Sequence, residues 1–160
     1  MKTLTLLRHA NALAPAAGED DFRRRLSPLG HGEAETVAAH LAGTGRLPDR
    51  ILSSPAPRAL ATAQHMARGL RLPDHRVETD DALYPGDVDD WQQVVFGLDP
   101  GAGHVLMVGH NPGISYFAAG LLSRRETVSL QTAGWVCLTF DTDDWADCFR
   151  GARCIDRGAP

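Results

Sequence analysis

The apolar run Leu4-Thr5-Leu6-Leu7 stops at Arg8-His9, and a second apolar run, Val105-Leu106-Met107-Val108-Gly109, stops at His110. A short apolar run bounded by polar residues reads as a buried strand. Two buried strands that each end in an imidazole constrain the fold strongly. They belong in one sheet, and they deliver two histidines to one edge of it.

The rest of the chain alternates strand and helix patterns, which predicts an α/β layer fold: a three-layer sandwich with a mostly parallel central sheet flanked by helices. The first strand is read at Thr3 to Leu7, and Ala12 to Asp20 as a loop over its end. Ser27-Pro28 opens a helix with an apolar stripe at Ala34, Val37, Ala38 and Leu41 that closes at Gly43 and Gly45. A strand ends at Arg50-Ile51-Leu52. Ser54 caps the next helix, with a proline in its first position and with Ala59, Ala63, Met66, Ala67 and Leu70 at helical spacing. Val77 begins a short strand, Val88 to Phe96 is a helix containing Trp91, and Val105 to Gly109 is a strand. Asn111-Pro112 caps a helix whose face carries Ile114, Phe117, Ala118, Leu121 and Leu122. Trp135 to Phe140 is the last clear strand; beyond Asp141 the pattern is weak, with Trp145 and Phe149 expected to pack back on the body. The whole of residues 1–160 reads as one domain, long enough to bury roughly two thirds of its extended surface.

In open α/β sheets ligands gather beyond the carboxyl ends of the strands. His9, Arg58 and His110 all fall just past such ends. Phosphoryl transfer asks for an in-line nucleophile and fixed positive charge around the equatorial oxygens. Histidine can be that nucleophile, forming a phospho-imidazole intermediate. Arginine suits the charge role because its planar fork binds phosphate oxygens bidentately and stays protonated. Arg58, in the first turn of its helix, also stands near free N–H groups and the positive end of the helix dipole.

Together, Arg8-His9-Ala10, Ser53-Ser54-Pro55-Ala56-Pro57-Arg58 and Val108-Gly109-His110-Asn111-Pro112-Gly113 resemble the histidine phosphatase superfamily, also called phosphoglycerate mutase-like. Asp21-Phe22-Arg23-Arg24-Arg25-Leu26-Ser27-Pro28-Leu29-Gly30 and Thr132-Ala133-Gly134 are similar to its small bacterial SixA-like phosphohistidine phosphatase branch. The resemblance runs from Thr3 to Asp141, in the same order and with similar spacing. It implies that His9 is the phosphorylated nucleophile, Arg8 and Arg58 are phosphate ligands, and His110 is the second pocket histidine. It also makes Arg24 and Asn111 substrate-binding candidates. Ala10 departs from the glycine usual at its motif position and meets the same demand for a small residue.

Larger superfamily members supply a carboxylic acid after the third strand. Here that region reads Glu78-Thr79-Asp80-Asp81-Ala82-Leu83-Tyr84-Pro85-Gly86-Asp87, where Asp87 and Asp81 are the candidate general acids and could equally be solvated loop carboxylates. An alkoxide leaving group needs a proton strongly, general acid help being typically worth about two to four orders of magnitude. A protonated phosphoramidate nitrogen leaves more readily. The expected function is therefore hydrolysis of phosphohistidine in a protein, through a His9 phospho-enzyme. The alternatives are a phosphatase of a small phosphorylated metabolite, which the short chain disfavours, and an inactive phosphate-binding adaptor, which retention of Arg8, His9, Arg58 and His110 disfavours.

A net charge of −4 argues against a nucleic-acid partner, so positive potential must be local to the pocket. Cys137, Cys148 and Cys154 form an odd set without metal spacing; reduced thiols in a cytoplasmic protein are expected, a Cys148–Cys154 pair being the minor alternative. Arg8-His9 interrupts the opening apolar stretch too early for a secretory signal, and no window has the length of a membrane span. His31, His40, His65, His75 and His104 lack ligand spacing, and Asp80-Asp81, Asp89-Asp90 and Asp143-Asp144 lack an EF-hand pattern. The expectation is a monomer without metal or other cofactor.

Overall fold

The computed structural model describes residues 1–122 and 127–160. Its strands are β1 (Lys2–Arg8), β2 (Arg50–Ser53), β3 (Val77–Thr79), β4 (His104–Gly109), β5 (Trp135–Phe140) and β6 (Arg153–Gly158). Its helices are α1 (Pro28–Gly43), α2 (Pro57–Gly69), α3 (Val88–Phe96) and α4 (Gly113–Leu122). The strands form one sheet in the order β3-β2-β4-β1-β5-β6, parallel from β3 to β1 and antiparallel at β5 and β6.

Period-two alternation sorts the strand side chains into two cores. Leu4, Leu6, Val105, Met107, Val136 and Leu138 face α3 and α4, where Trp91, Ile114 and Phe117 are buried against them. Leu7, Ile51, Leu106 and Val108 face α1 and α2, meeting Val37, Leu41, Ala63 and Met66. Both sheet faces are covered, which is why β1 and β4 read as unbroken apolar runs. This is the expected three-layer sandwich. Trp145 and Phe149 do pack back: Trp145 Nε1 donates to Asp99 O at 3.2 Å, and Phe149 lies against Phe96 and Phe117.

Three local readings are corrected. The Ser54 N–H still pairs with Val108 O at 2.9 Å, so the chain leaves the sheet later than expected and α2 begins at Pro57, with Ala56 in the capping position. Ser54 therefore does not cap that helix. Asn111 holds its helix differently too, accepting from the Ser115 hydroxyl at 2.6 Å and donating to Leu130 O at 2.8 Å, while α4 starts at Gly113. Finally, the weakly patterned tail contains a full edge strand, β6, whose polar residues satisfy no core and are recruited by backbone pairing with β5. All three cysteines are free.

Candidate active site

The register of the three central strands decides which residues meet. Arg8 stands opposite Gly109 and Ser53 opposite Val108, so β1, β4 and β2 end level and release His9, His110 and Ser54 side by side. Pairing continues one residue beyond β1: the His9 N–H donates to Gly109 O, and Ala133 N–H donates to His9 O. Two close approaches finish the walls. A Cβ on Gly30 would fall 1.9 Å from Asn11 O, and one on Gly113 would fall 1.8 Å from Gly86 O. Glycine at the start of α1 thus lets the Asn11 segment lie against that helix, and glycine at the start of α4 does the same for the Tyr84-Pro85 segment.

The resulting cleft, about 280 Å³, is lined by Arg8, His9, Asn11, Ala12, Asp21, Arg24, Arg58, Tyr84, Pro85, His110, Asn111 and Thr132. It brings together His9, Arg8, Arg58, His110, Arg24 and Asn111. It does not bring in the two candidate acids. Asp87 caps α3 in a capping box with Asp90, and Asp81 lies exposed on a 3₁₀ turn, Asp81–Leu83; neither lines the cleft. Asp87 serves local backbone structure as a helix cap, and at the turn that begins with Asp81 the capping side chain is that of Asp80, which accepts from Ala82 N–H at 2.9 Å.

His9 is 8% exposed, and its Nδ1 lies 2.8 Å from Ala10 O. A carbonyl only accepts, so Nδ1 carries the hydrogen and Nε2 presents its lone pair. Arg58 Nε donates towards that Nε2 at 3.4 Å. Burial, together with the charges of Arg58, Arg8 and Arg24, pushes His9 down to about 4 against the opposing hydrogen bond to Ala10. The ring is therefore neutral and nucleophilic at neutral pH.

His110 stacks obliquely on His9, with ring centroids 5.0 Å apart. Its Nε2 lies 2.7 Å from Ser54 Oγ, an oxygen that already accepts from Ala56 N–H at 3.2 Å. The hydroxyl hydrogen is thus free to point at Nε2, which leaves the hydrogen of His110 on Nδ1. Among the described residues that nitrogen is buried without a hydrogen-bond partner, as is Arg8 Nε. Unpartnered buried donors around a cleft suit an incoming anion. Burial first, then His9 and Arg58, push His110 down to about 3, so it acts as a neutral donor.

The cations are held by oxygen atoms. Arg8 Nη1 donates to Leu130 O at 3.1 Å. Arg58, 3% exposed, donates through Nη1 to Asp21 O at 2.6 Å and through Nη2 to Asp21 Oδ2 at 2.8 Å. Arg24 Nη1 reaches the other Asp21 oxygen at 2.9 Å, and its Nε reaches Leu13 O at 2.8 Å. Hydrogen bonding from Arg24, with the Arg58 charge, holds the Asp21 carboxyl below its ordinary range despite some burial. Tyr84 O–H donates to Asp21 Oδ2 at 3.3 Å, and burial first, then Asp21, raises the phenol.

Asp21, Tyr84 and Ser54 are site members that sequence reasoning did not assign to the site. Asp21 sits three residues before Arg24, a spacing that pairs the two on one turn, and this is the signal that could have found it. Among the described residues no group of three or more His, Cys, Asp or Glu converges as a metal site, and no helix is long and apolar enough to cross a membrane.

Comparison with known proteins agrees with this fold. The chain superposes on a candidate phosphohistidine phosphatase SixA from Agrobacterium tumefaciens with a TM-score of 0.84 and 29% identity, over 99% of this chain and 98% of that one. The protein histidine phosphatase SixA complexed with tungstate gives 0.83 and 27%, over 98% and 96%. A candidate SixA from Nakamurella multipartitia gives 0.82 and 26%, over 99% and 96%. No curated protein sequence matches the chain. The model of the histidine phosphatase superfamily (branch 1) matches residues 4–96, which include Arg8, His9 and Arg58. With more than half of its length matched, the chain belongs to the histidine phosphatase superfamily.

Proposed function

We propose that this protein hydrolyses phosphohistidine on a partner protein through a covalent phospho-enzyme on His9. The observation that carries the reading is the state of His9: neutral, its Nδ1–H fixed on Ala10 O, its Nε2 unprotonated and met by Arg58 Nε at 3.4 Å. Its lone pair attacks phosphorus, and the P–N bond of the substrate breaks with its electron pair returning to the leaving nitrogen. Arg8, Arg58 and Arg24 neutralise the equatorial oxygens, and His110 Nδ1–H donates to one of them. Water then attacks the phospho-imidazole, releasing phosphate and restoring neutral His9. Three fixed arginines supply the positive field and His110 a neutral donor, so on this reading the reaction proceeds without a metal.

The choice of phosphohistidine over a phosphomonoester rests on leaving-group chemistry. The one carboxyl group among the described lining residues, Asp21, is paired to two arginines and held ionised, so it has no proton for a departing alkoxide. A phosphoramidate nitrogen brings its own proton. The likeness to SixA structures supports the same reading. The free thiols of Cys137, Cys148 and Cys154 support a reducing, cytoplasmic setting.

The test compares hydrolysis of a phosphohistidine-bearing protein domain with that of simple phosphomonoesters, without added metal, in wild type and His9→Ala. A strong preference for the phosphoramidate that the mutant loses is the expected result. Faster turnover of monoesters reassigns the enzyme to small phosphorylated metabolites, and activity unchanged in His9→Ala removes the nucleophile assignment.

A further inference from the structure

We infer that Asp21 is the specificity-determining carboxylate of this site: it accepts the N–H of a departing nitrogen leaving group and disfavours leaving groups that depart as oxyanions. The inference rests on the phosphohistidine reading above and names what enforces it.

Position comes first. Arg58 bridges the depth of the cleft, with Nε on His9 and Nη2 on Asp21. The His9 end is closed, at 8% exposure, whereas the Asp21 side chain is 57% exposed and stands at the mouth. A phosphoryl group seated on Arg58 therefore has His9 on its inner side and Asp21 on its outer side. In-line displacement sends the leaving group away from the attacking nitrogen, towards that mouth.

Charge comes next. Arg24 and Arg58 hold the two carboxylate oxygens, and the Tyr84 O–H adds a third donor. Asp21 is thus a fixed anion beside the departing atom. When the P–N bond of phosphohistidine breaks, the electron pair passes to the ring nitrogen, and the ring leaves neutral only if its other nitrogen keeps a proton. A carboxylate facing that N–H stabilises the protonated ring and so favours the departure. When a P–O bond breaks, the pair passes to oxygen, and negative charge grows beside a carboxylate that has no proton to give. The substrate class that fits is a phosphoramidate whose leaving group carries an N–H.

The experiment measures kcat/KM for a phosphohistidine-bearing domain and for p-nitrophenyl phosphate in the full chain, as wild type, Asp21→Asn and Asp21→Glu. Asp21→Asn is expected to lower phosphohistidine hydrolysis by about tenfold, the order supplied by one charge-assisted hydrogen bond, and to raise aryl phosphate hydrolysis. Asp21→Glu is expected to return the ratio towards wild type. Parallel loss on both substrates, or a ratio left unchanged by Asp21→Asn, overturns the inference. Wild-type enzyme that leaves phosphohistidine intact overturns the reaction assignment itself, a result distinct from an unchanged ratio.

Discussion

Ser54 Oγ and His110 Nε2 lie 2.7 Å apart across the level ends of β2 and β4, so a serine beyond one strand sets which nitrogen of the next strand's histidine carries the hydrogen. Ser54→Ala removes that control and lets Nδ1 lose its proton to Nε2. The expected outcome is a fall in kcat of about five- to tenfold with KM little changed, matching the loss of one neutral hydrogen bond. Steady-state kinetics on the preferred substrate check it.

Arg58→Lys keeps a positive charge at the cleft and loses the fork that touches His9 and Asp21 together. Lysine is a point charge that cannot bridge both. A loss of about two orders of magnitude in kcat is expected, the usual scale for removing one preorganised donor from a developing charge. A loss of less than a few-fold would assign Arg58 to structure alone.

The pH dependence follows from the buried imidazoles. In the proposed mechanism His9 must be neutral to attack, and burial pushes it down to about 4, well below the ordinary 6.5. Activity is therefore expected to persist as pH falls through 6.5 and to drop only near 4, provided that the fold survives.

Fold stability in acid carries the opposite message. His9, His104 and His110 are all depressed in the folded state, to about 4, about 4 and about 3, mainly by burial. Between those values and 6.5 the unfolded chain binds more protons than the folded one, so stability rises with pH there and is lost as pH falls below 6.5. His104 lies outside the cleft, against the Thr5 hydroxyl at 2.9 Å. Thermal melting from pH 7 to pH 4 is expected to show a falling Tm, with a shallower fall in His104→Gln.

Gly113→Ala tests the wall. Its Cβ would fall 1.8 Å from Gly86 O, backbone against backbone, so the Tyr84–Gly86 segment must move. Overpacking of this kind costs about 1–3 kcal/mol. A lower Tm together with a lower kcat is expected, because Tyr84 and Pro85 line the cleft.

The strands and helices of the body were legible because each carries one period. The Val88 to Phe96 helix is found at the residues read for it, and the Ala34, Val37, Ala38, Leu41 stripe is buried as a single face of α1. The gathering of Arg8, His9, Arg58 and His110 was legible because strand-end position is a matter of topology. β6 was not, since an edge strand such as Arg153–Gly158 is defined by backbone pairing and shows no apolar alternation. Asp81 and Asp87 come from a stretch in which capping and acid catalysis call for the same side chain: Asp87 caps α3, Asp80 caps the turn that begins at Asp81, and only three-dimensional placement sets these carboxylates apart from the cleft. Asp21 was hidden by its neighbours Arg23, Arg24 and Arg25, of which Arg24 pairs with it across the 3₁₀ turn at Asp21–Arg23.

His9 is held on both flanks of its peptide, donating to Gly109 O and accepting from Ala133 N–H. Its backbone is a continuation of the two central strands, the part of such a fold whose amides open last and most rarely. In terms of timescale, the proposed nucleophile is attached to paired central backbone, the kind that opens slowly, and Asp21 at the mouth to an exposed turn, the kind that opens readily. In the proposed mechanism the two sides of one phosphoryl group would therefore keep different clocks, slow on the inner face at the nucleophile and faster on the outer face of arrival and departure.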